Sequence, residues 1–206
     1  MNHYYYFFPI IAYLLGSIPF GLILSNIFGN GQLRESGSKN IGATNVLRTQ
    51  GKLLGLCTLL LDFSKAFVPC YFFTKTNSAF ANTGSEIINL LVLAAPAIGH
   101  MFPIWLKFRG GKGVATYFGI LGALDIYVFF GTVLAWVIIF AISRISSVAC
   151  LSSILFSCGL FPYVMKNIRH LEFFNQLCVL ILLAVIIFVK HHENIKRLIS
   201  NKEMKI

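Results

Sequence analysis

The chain has 206 residues, 57% of them hydrophobic and only 12% charged, with a mean hydropathy of +0.77. That balance excludes a soluble globular domain, which needs far more charge to cover its surface, and matches an integral membrane protein. Lys and Arg outnumber Asp and Glu by 17 to 7, but these cations sit in short loops between apolar runs, so positive-inside bias accounts for them before nucleic acid does.

The opening stretch MNHYYYFFPIIAYLLGSIPFG lacks a basic n-region and an A-x-A-like cleavage site. It is expected to be an uncleaved first span, with Tyr4, Tyr5 and Tyr6 at the membrane–water interface. Further apolar runs fall near 53–74, 87–106, 113–124, 126–142, 148–165 and 173–189, after the first at 4–28. A span needs about 20 residues. The stretch Gly113–Ile142 holds one charge, Asp125, and reads either as one long tilted helix or as two short ones turning near Gly122-Ala123-Leu124-Asp125. Seven spans with the C-terminus cytoplasmic place Arg34, Lys39, Arg48, Lys52, Lys107, Arg109, Lys112, Arg144, Lys190, Lys196, Arg197, Lys202 and Lys205 on one side. Lys75, Lys166 and Arg169 fall on the other. The expected fold is therefore all-α and polytopic: seven transmembrane helices, N-terminus periplasmic, one domain over residues 1–206.

Cys57, Cys70, Cys150, Cys158 and Cys178 lie inside apolar runs without C-x-x-C spacing and read as small hydrophobes in helix packing. Asp62 and Lys65, three apart within the second run, read as an ion pair that orients neighbouring helices, since charges at that depth are expensive unless paired.

Three polar clusters interrupt the apolar pattern. The first, Arg34 to Arg48, is dense in side chains that hold hydroxyls and phosphates: Ser36, Ser38, Asn40, Thr44 and Asn45. It closes with Arg48, whose planar fork suits bidentate phosphate contact. The second, Phe108-Arg109-Gly110-Gly111-Lys112-Gly113-Val114-Ala115-Thr116, follows Gly99-His100-Met101-Phe102-Pro103 and leads into a helix. Unpaired N–H groups at a helix N-terminus favour an anion, glycines admit it closely, and Lys112 adds a charge. The motif reads as a phosphate cradle or as a basic interfacial turn; Gly113 after Lys112 excludes a Walker A loop. The third cluster, His191-His192-Glu193-Asn194-Ile195-Lys196-Arg197-Leu198, puts His191 and Asn194 on one face if the last helix continues.

Together these stretches resemble the bacterial acyl-phosphate:glycerol-3-phosphate acyltransferase family. The matching segments are GSIPFG (Gly16–Gly21), SGSKNIGATNVLR (Ser36–Arg48), the DFSK pair, GHMFPIWLKFRGGKGVAT (Gly99–Thr116) and HHENIKRL with Glu203. The resemblance spans essentially the whole chain. It implies a seven-helix acyltransferase of the bacterial inner membrane with its active site on the cytoplasmic face. Such an enzyme moves a fatty acyl group from acyl phosphate to the 1-hydroxyl of glycerol 3-phosphate, giving lysophosphatidic acid and inorganic phosphate for phospholipid synthesis. A partner enzyme using acyl carrier protein supplies the acyl phosphate, and neither a cofactor nor a metal ion is implied. By the same resemblance the catalytic positions are Ser38, Arg48, Lys112, His191 and Asn194. Substrate-binding positions are Asn40, Thr44, Asn45, Gly110, Gly111, Gly113, Thr116, Ser147 and Arg197. Either His191 or a substrate phosphate takes the acceptor proton. The chain departs from the family's pattern in having Lys39 for Gly, His192 for Arg and Asn201 for Gly. A competing reading is a membrane transporter of an organophosphate anion, which would also use basic residues beside broken helices; no internal repeat supports it. A third, a scaffold whose basic loops bind anionic lipid, leaves the Ser/Asn/Gly pattern without a purpose.

Overall fold

A computed structural model of the chain describes residues 6–76, 86–166 and 172–205. The expectations for Tyr4, Tyr5 and Arg169 lie outside the described residues. Regular structure among the described residues is helical: α1 (Phe8–Gly16), α2 (Phe20–Phe28), α3 (Ala43–Gln50), α4 (Lys52–Thr76), α5 (Glu86–Met101), α6 (Val114–Leu124), α7 (Ile126–Ser143), α8 (Ser146–Met165), α9 (Glu172–Lys190) and α10 (His192–Ile199). They form two compact units, Met1–Leu124 and Asp125–Ile206.

Among the described residues, six stretches are long and apolar enough to cross a membrane: 8–28, 52–75, 87–106, 126–143, 146–165 and 173–190. The expected seventh, at 113–124, is the 11-residue helix α6, about 16 Å long against a hydrocarbon layer of about 30 Å. Asp125 settles the ambiguity over residues 113–142. Its backbone is extended (φ −155°, ψ 127°) and its carboxylate accepts the Val128 N–H at 2.8 Å, so it caps a new helix. The stretch is two helices, not one.

The first span is also broken, which its unbroken hydrophobicity conceals. Pro19 has no N–H to donate and disfavours helical backbone at Ile18, so α1 ends at Gly16 and α2 begins at Phe20. Ser17 turns its hydroxyl back to the Tyr13 carbonyl at 2.8 Å. A helix break inside hydrocarbon exposes carbonyls that lipid cannot satisfy. Here the Ile18 carbonyl accepts from Lys65 Nζ at 2.7 Å, and the same ammonium stands 2.8 Å from Asp62 Oδ1. The Asp62–Lys65 pair does orient helices, as expected, and it does so by holding the break.

In the first unit α1 lies directly on α5. A Cβ added to Gly16 would stand 2.2 Å from the Pro96 carbonyl oxygen, and one on Gly99 would stand 2.3 Å from that of Tyr13. Small residues at a crossing let backbones approach and gain packing that lipid would otherwise supply. Ala12, Phe73, Ile88 and Val92 bury together beside this crossing.

In the second unit α7 turns into α8 through Arg144, whose left-handed backbone (φ 57°) ends the helix. The Trp136 indole N–H donates to Cys150 Sγ at 3.3 Å. Buried Ser153 and Ser157 return their hydroxyls to carbonyls of their own helix, at 3.0 and 2.7 Å, so α8 buries polar side chains without orphaned donors. Phe130, Leu134 and Val137 on α7 and Leu182, Val185 and Val189 on α9 are exposed, as lipid-facing residues are.

Candidate active site

The first polar cluster is a loop between α2 and α3, and one side chain shapes it. Leu33, Ile41 and Val46 are buried together, each burial contributing roughly 1.5–3 kcal/mol. Between these anchors the Asn45 amide reaches back from α3. The two hydrogens on its Nδ2 are shared among the carbonyls of Leu33 (3.0 Å), Ser36 (3.1 Å) and Asn40 (2.9 Å), and its Oδ1 accepts the Ser38 N–H at 2.8 Å. Donors on one side and an acceptor on the other fix which way the amide points. Asn45 therefore sits beneath the loop and sets the backbone of Ser38. Ser38, Asn40, Thr44 and Arg48 are half-buried at its surface.

Lys39, exposed at the tip, has φ 59°, and Asn201, the other departure from a family glycine, has φ 54°. Both fall in the left-handed region where glycine is strain-free, and asparagine tolerates that region better than lysine does. Lys39→Gly is expected to stabilise the protein by roughly 1 kcal/mol by removing this strain, while keeping most activity. A thermal melt in detergent checks the first and a turnover assay the second.

The second cluster folds back on the end of α5. After the turn of 3-10 helix at Ile104–Leu106, Lys107 and Phe108 both adopt left-handed backbone, with φ 51° and 61°. This reverses the chain so that the Gly110 N–H reaches the Met101 carbonyl (3.2 Å) and the Gly111 N–H reaches that of His100 (3.0 Å). A Cβ on Gly110 would meet the His100 carbonyl oxygen at 2.1 Å, and one on Gly111 would meet His100 Nε2 at 2.2 Å. These two glycines are thus required by packing on α5, whatever else approaches them. Gly113, at φ 90°, makes the turn into α6, where Thr116 is buried and gives its hydroxyl to the Gly113 carbonyl at 2.8 Å. Lys112 is half-buried between the two glycine corners.

The first two clusters meet. Arg34 Nη2 donates to the Arg109 carbonyl at 2.7 Å, and Leu106 packs against the Leu33–Ile41–Val46 group. The loop carrying Ser38, the helix α3 that carries Arg48 and the loop carrying Lys112 are therefore parts of one assembly within the first unit.

The third cluster, in the second unit, is organised by an acid. The last span does not continue through it: α9 ends at Lys190, and His191 (φ −96°, ψ 8°) opens α10. His191 and Asn194 are both buried. His191 Nδ1 lies 2.8 Å from the Ile187 carbonyl; a carbonyl only accepts, so Nδ1 carries the proton and a neutral ring keeps its lone pair at Nε2. The Glu203 side chain is 3% exposed. Its Oε1 accepts from Ser147 Oγ (2.9 Å) and from Asn194 Nδ2, while Oε2 pairs with Arg197 Nε at 2.7 Å. Burial alone would raise this carboxyl, but the bonds from Asn194, Arg197 and Ser147 and the Arg197 charge outweigh it and hold it below the usual glutamate range. A lowered folded-state pKa contributes stability above the unfolded value of about 4.3, lost as pH falls towards the folded one. Glu203→Gln is expected to lower stability at neutral pH by about 2 kcal/mol and to remove that acid-range dependence, both visible in melts taken across pH 3 to 7.

Three residues that shape these loops were not singled out among the expected site positions: Arg34, His100 and Glu203. Arg34 opens the first polar cluster, and His100 and Glu203 lie in the segments that carry the resemblance, but nothing in their spacing shows what they touch.

A family model described as glycerol-3-phosphate acyltransferase matches residues 6–201. The protein of that name from Pelagibacter ubique is 44% identical over 94% of this chain and 93% of its own length. That from Wolbachia pipientis of Culex pipiens is 43% identical over 97% of each. The crystal structure of PlsY (YgiH), an integral membrane glycerol 3-phosphate acyltransferase, in its glycerol 3-phosphate form, superposes with a TM-score of 0.85 at 34% identity, covering 98% of this chain and 95% of that one. Its lysophosphatidic acid form gives 0.83 at 33% identity. With the glycine loop and the pinned serine loop both lying within the matched residues, the transporter reading falls away: this chain is an acyltransferase and belongs to the glycerol-3-phosphate acyltransferase family.

Proposed function

We propose that the enzyme transfers a fatty acyl group from acyl phosphate to the 1-hydroxyl of glycerol 3-phosphate, releasing lysophosphatidic acid and inorganic phosphate for phospholipid synthesis. The observation that carries this reading is the glycine loop folded onto α5 and opening into α6 with Lys112 at its centre. A helix N-terminus, close backbone approach and one point charge suit a phosphate group. Glycerol 3-phosphate and lysophosphatidic acid, named for the two PlsY structures, supply the acceptor and the product.

In the reaction the acceptor oxygen bonds to the acyl carbon while the bond from that carbon to the phosphate oxygen breaks. The hydroxyl proton leaves on the departing phosphate, so the protein needs to position and to stabilise charge more than to exchange protons. Arg48 and Lys112 hold anionic groups, with Gly110, Gly111 and Gly113 admitting them. Ser38, with its N–H fixed by Asn45, orients the acceptor or the acyl carbonyl, and Asn40 and Thr44 lie beside it. His191 and Asn194 keep the roles that the resemblance gives them, while Ser147 and Arg197 hold Asn194 through Glu203. Asn45 and Thr116, expected to bind substrate, shape their loops from beneath. No cofactor enters.

The whole chain works as one acyltransferase domain of the bacterial inner membrane. We count α6, too short to reach through the whole hydrocarbon layer by itself, as a short seventh crossing, which puts the N-terminus on the periplasmic side and the catalytic loops and C-terminus on the cytoplasmic side. A partner enzyme that draws on acyl carrier protein makes the acyl phosphate.

Purified protein given acyl phosphate and glycerol 3-phosphate is expected to form lysophosphatidate and phosphate in equal amounts. Product formed only from an acyl thioester would overturn the donor assignment. For topology, a cysteine at position 125, in a background without native cysteines, is expected to react with an impermeant reagent on intact spheroplasts. One at position 107 should react only after lysis; the reverse pattern overturns the orientation.

A further inference from the structure

Beneath the glycine loop lies a buried polar chain to which the reaction above gives no part. Asp62, Lys65 and His100 are all nine-tenths or more buried within apolar helices. Asp62 Oδ1 stands 2.8 Å from Lys65 Nζ and 3.6 Å from His100 Nδ1, and Lys65 continues to the Ile18 carbonyl at the break between α1 and α2. At the far end, the place a Gly111 Cβ would take lies 2.2 Å from His100 Nε2, 2.8 Å from Cε1 and 3.1 Å from Cδ2. The imidazole is thus the floor on which the Gly111 backbone rests, with the Gly111 N–H also tied to the His100 carbonyl at 3.0 Å.

We infer that His100 is a positioning residue for the glycine loop, held in place by Asp62, so that the helix break, the ion pair and the loop form one mechanical column. The buried carboxylate pairs with the Lys65 ammonium at 2.8 Å and faces the His100 ring at 3.6 Å, an electrostatic restraint on both, because leaving any of the three alone in hydrocarbon is costly. A loop whose backbone lies in contact with a ring has its height set by where that ring lies. The phosphate-binding corner is therefore placed by α4 and α5 rather than by the loop's own sequence. Backbone N–H groups that bind an anion gain from such fixing, since a site that is already ordered loses less freedom on binding.

The inference rests on the glycine loop being the phosphate site, and its tests separate the two ideas. His100→Ala removes the floor and is expected to raise KM for glycerol 3-phosphate about tenfold or more, the size of a lost ordered contact, with kcat changed less. His100→Asn, which keeps a nitrogen near the Nδ1 position facing Asp62, should recover part of that loss. Asp62→Asn should also raise KM, and combined with His100→Ala it should add little, because it acts through the ring.

A size exchange tests the contact itself. Gly111→Ala drives a methyl into the imidazole, and His100→Ala clears that space, so the double variant should bind better than Gly111→Ala alone. Gly110→Ala meets the backbone carbonyl of position 100 instead, so His100→Ala should give it no relief. A fall in melting temperature and active fraction with an unchanged KM in both His100→Ala and His100→Asn, or equal rescue of both alanine variants, would overturn the inference. If Lys112→Ala also leaves KM for both substrates unchanged, the phosphate-loop reading itself has failed. A raised KM in Lys112→Ala with none in the His100 variants overturns the positioning role alone.

Discussion

Replacing Lys112 by alanine is expected to lower kcat/KM by about tenfold to a hundredfold, corresponding to one charge-assisted contact of roughly 1.5–3 kcal/mol. The residue is half-buried where the loop enters α6, between buried Gly111 and the φ 90° corner at Gly113. In the proposed reading, an ammonium there adds its charge to the N–H groups of the helix start, and both would act on the same phosphate oxygens. Loss of the charge should appear in KM if it holds the ground-state phosphate, and in kcat if the contact tightens as phosphate leaves. Lys112→Arg keeps the charge on a bulkier, planar group and should fall between alanine and the natural enzyme. Membrane insertion and melting temperature should survive, because the side chain lies at a helix end rather than within a span. Unchanged kinetics for both substrates would make Lys112 an interfacial anchor only.

The helices were legible wherever hydrophobicity changes along the chain, and illegible where it does not. Apolar runs located the long helices to within a few residues, while the lone Asp125 left one helix or two open over 113–142 until its carboxylate was seen to cap α7. The break at Ile18-Pro19 was missed because both halves are equally apolar and together they reach span length. Proline alone recorded it, and its partner Lys65 lies 47 residues away. Within the clusters, residue type marked polar density but not direction. Asn45 and Ser38 look equally able to bind substrate in a string of letters, yet one amide is used up by four backbone groups. Gly110 and Gly111 were read as openings for a phosphate, and the structure adds a nearer reason in the α5 backbone and the His100 ring. Glu203 was least legible, because its three partners come from α8 and α10 and no periodicity links them.

Asn45→Asp changes one nitrogen to oxygen and is expected to be among the most damaging substitutions of the first loop. The shape is kept, and the oxygen that accepts the Ser38 N–H at 2.8 Å can still do so. The other oxygen then faces the carbonyls of Leu33, Ser36 and Asn40, which now receive donors at 2.9–3.1 Å. Three acceptors against a fourth repel, and the site is 1% exposed, so water cannot intervene without opening the loop. Each buried carbonyl left unsatisfied costs about 1–3 kcal/mol, and a buried anion costs more. The loop should therefore rearrange, and the protein should lose roughly 3 kcal/mol or more of stability. Since Ser38 hangs from the same amide, turnover should fall by about a hundredfold or more in whatever fraction stays folded. Asn45→Ala removes the donors without adding repulsion and should be milder on both counts. Melting temperature and specific activity, measured side by side for the two variants, check this order. An Asp variant as active as the Ala variant would mean that the amide donors do not hold the loop.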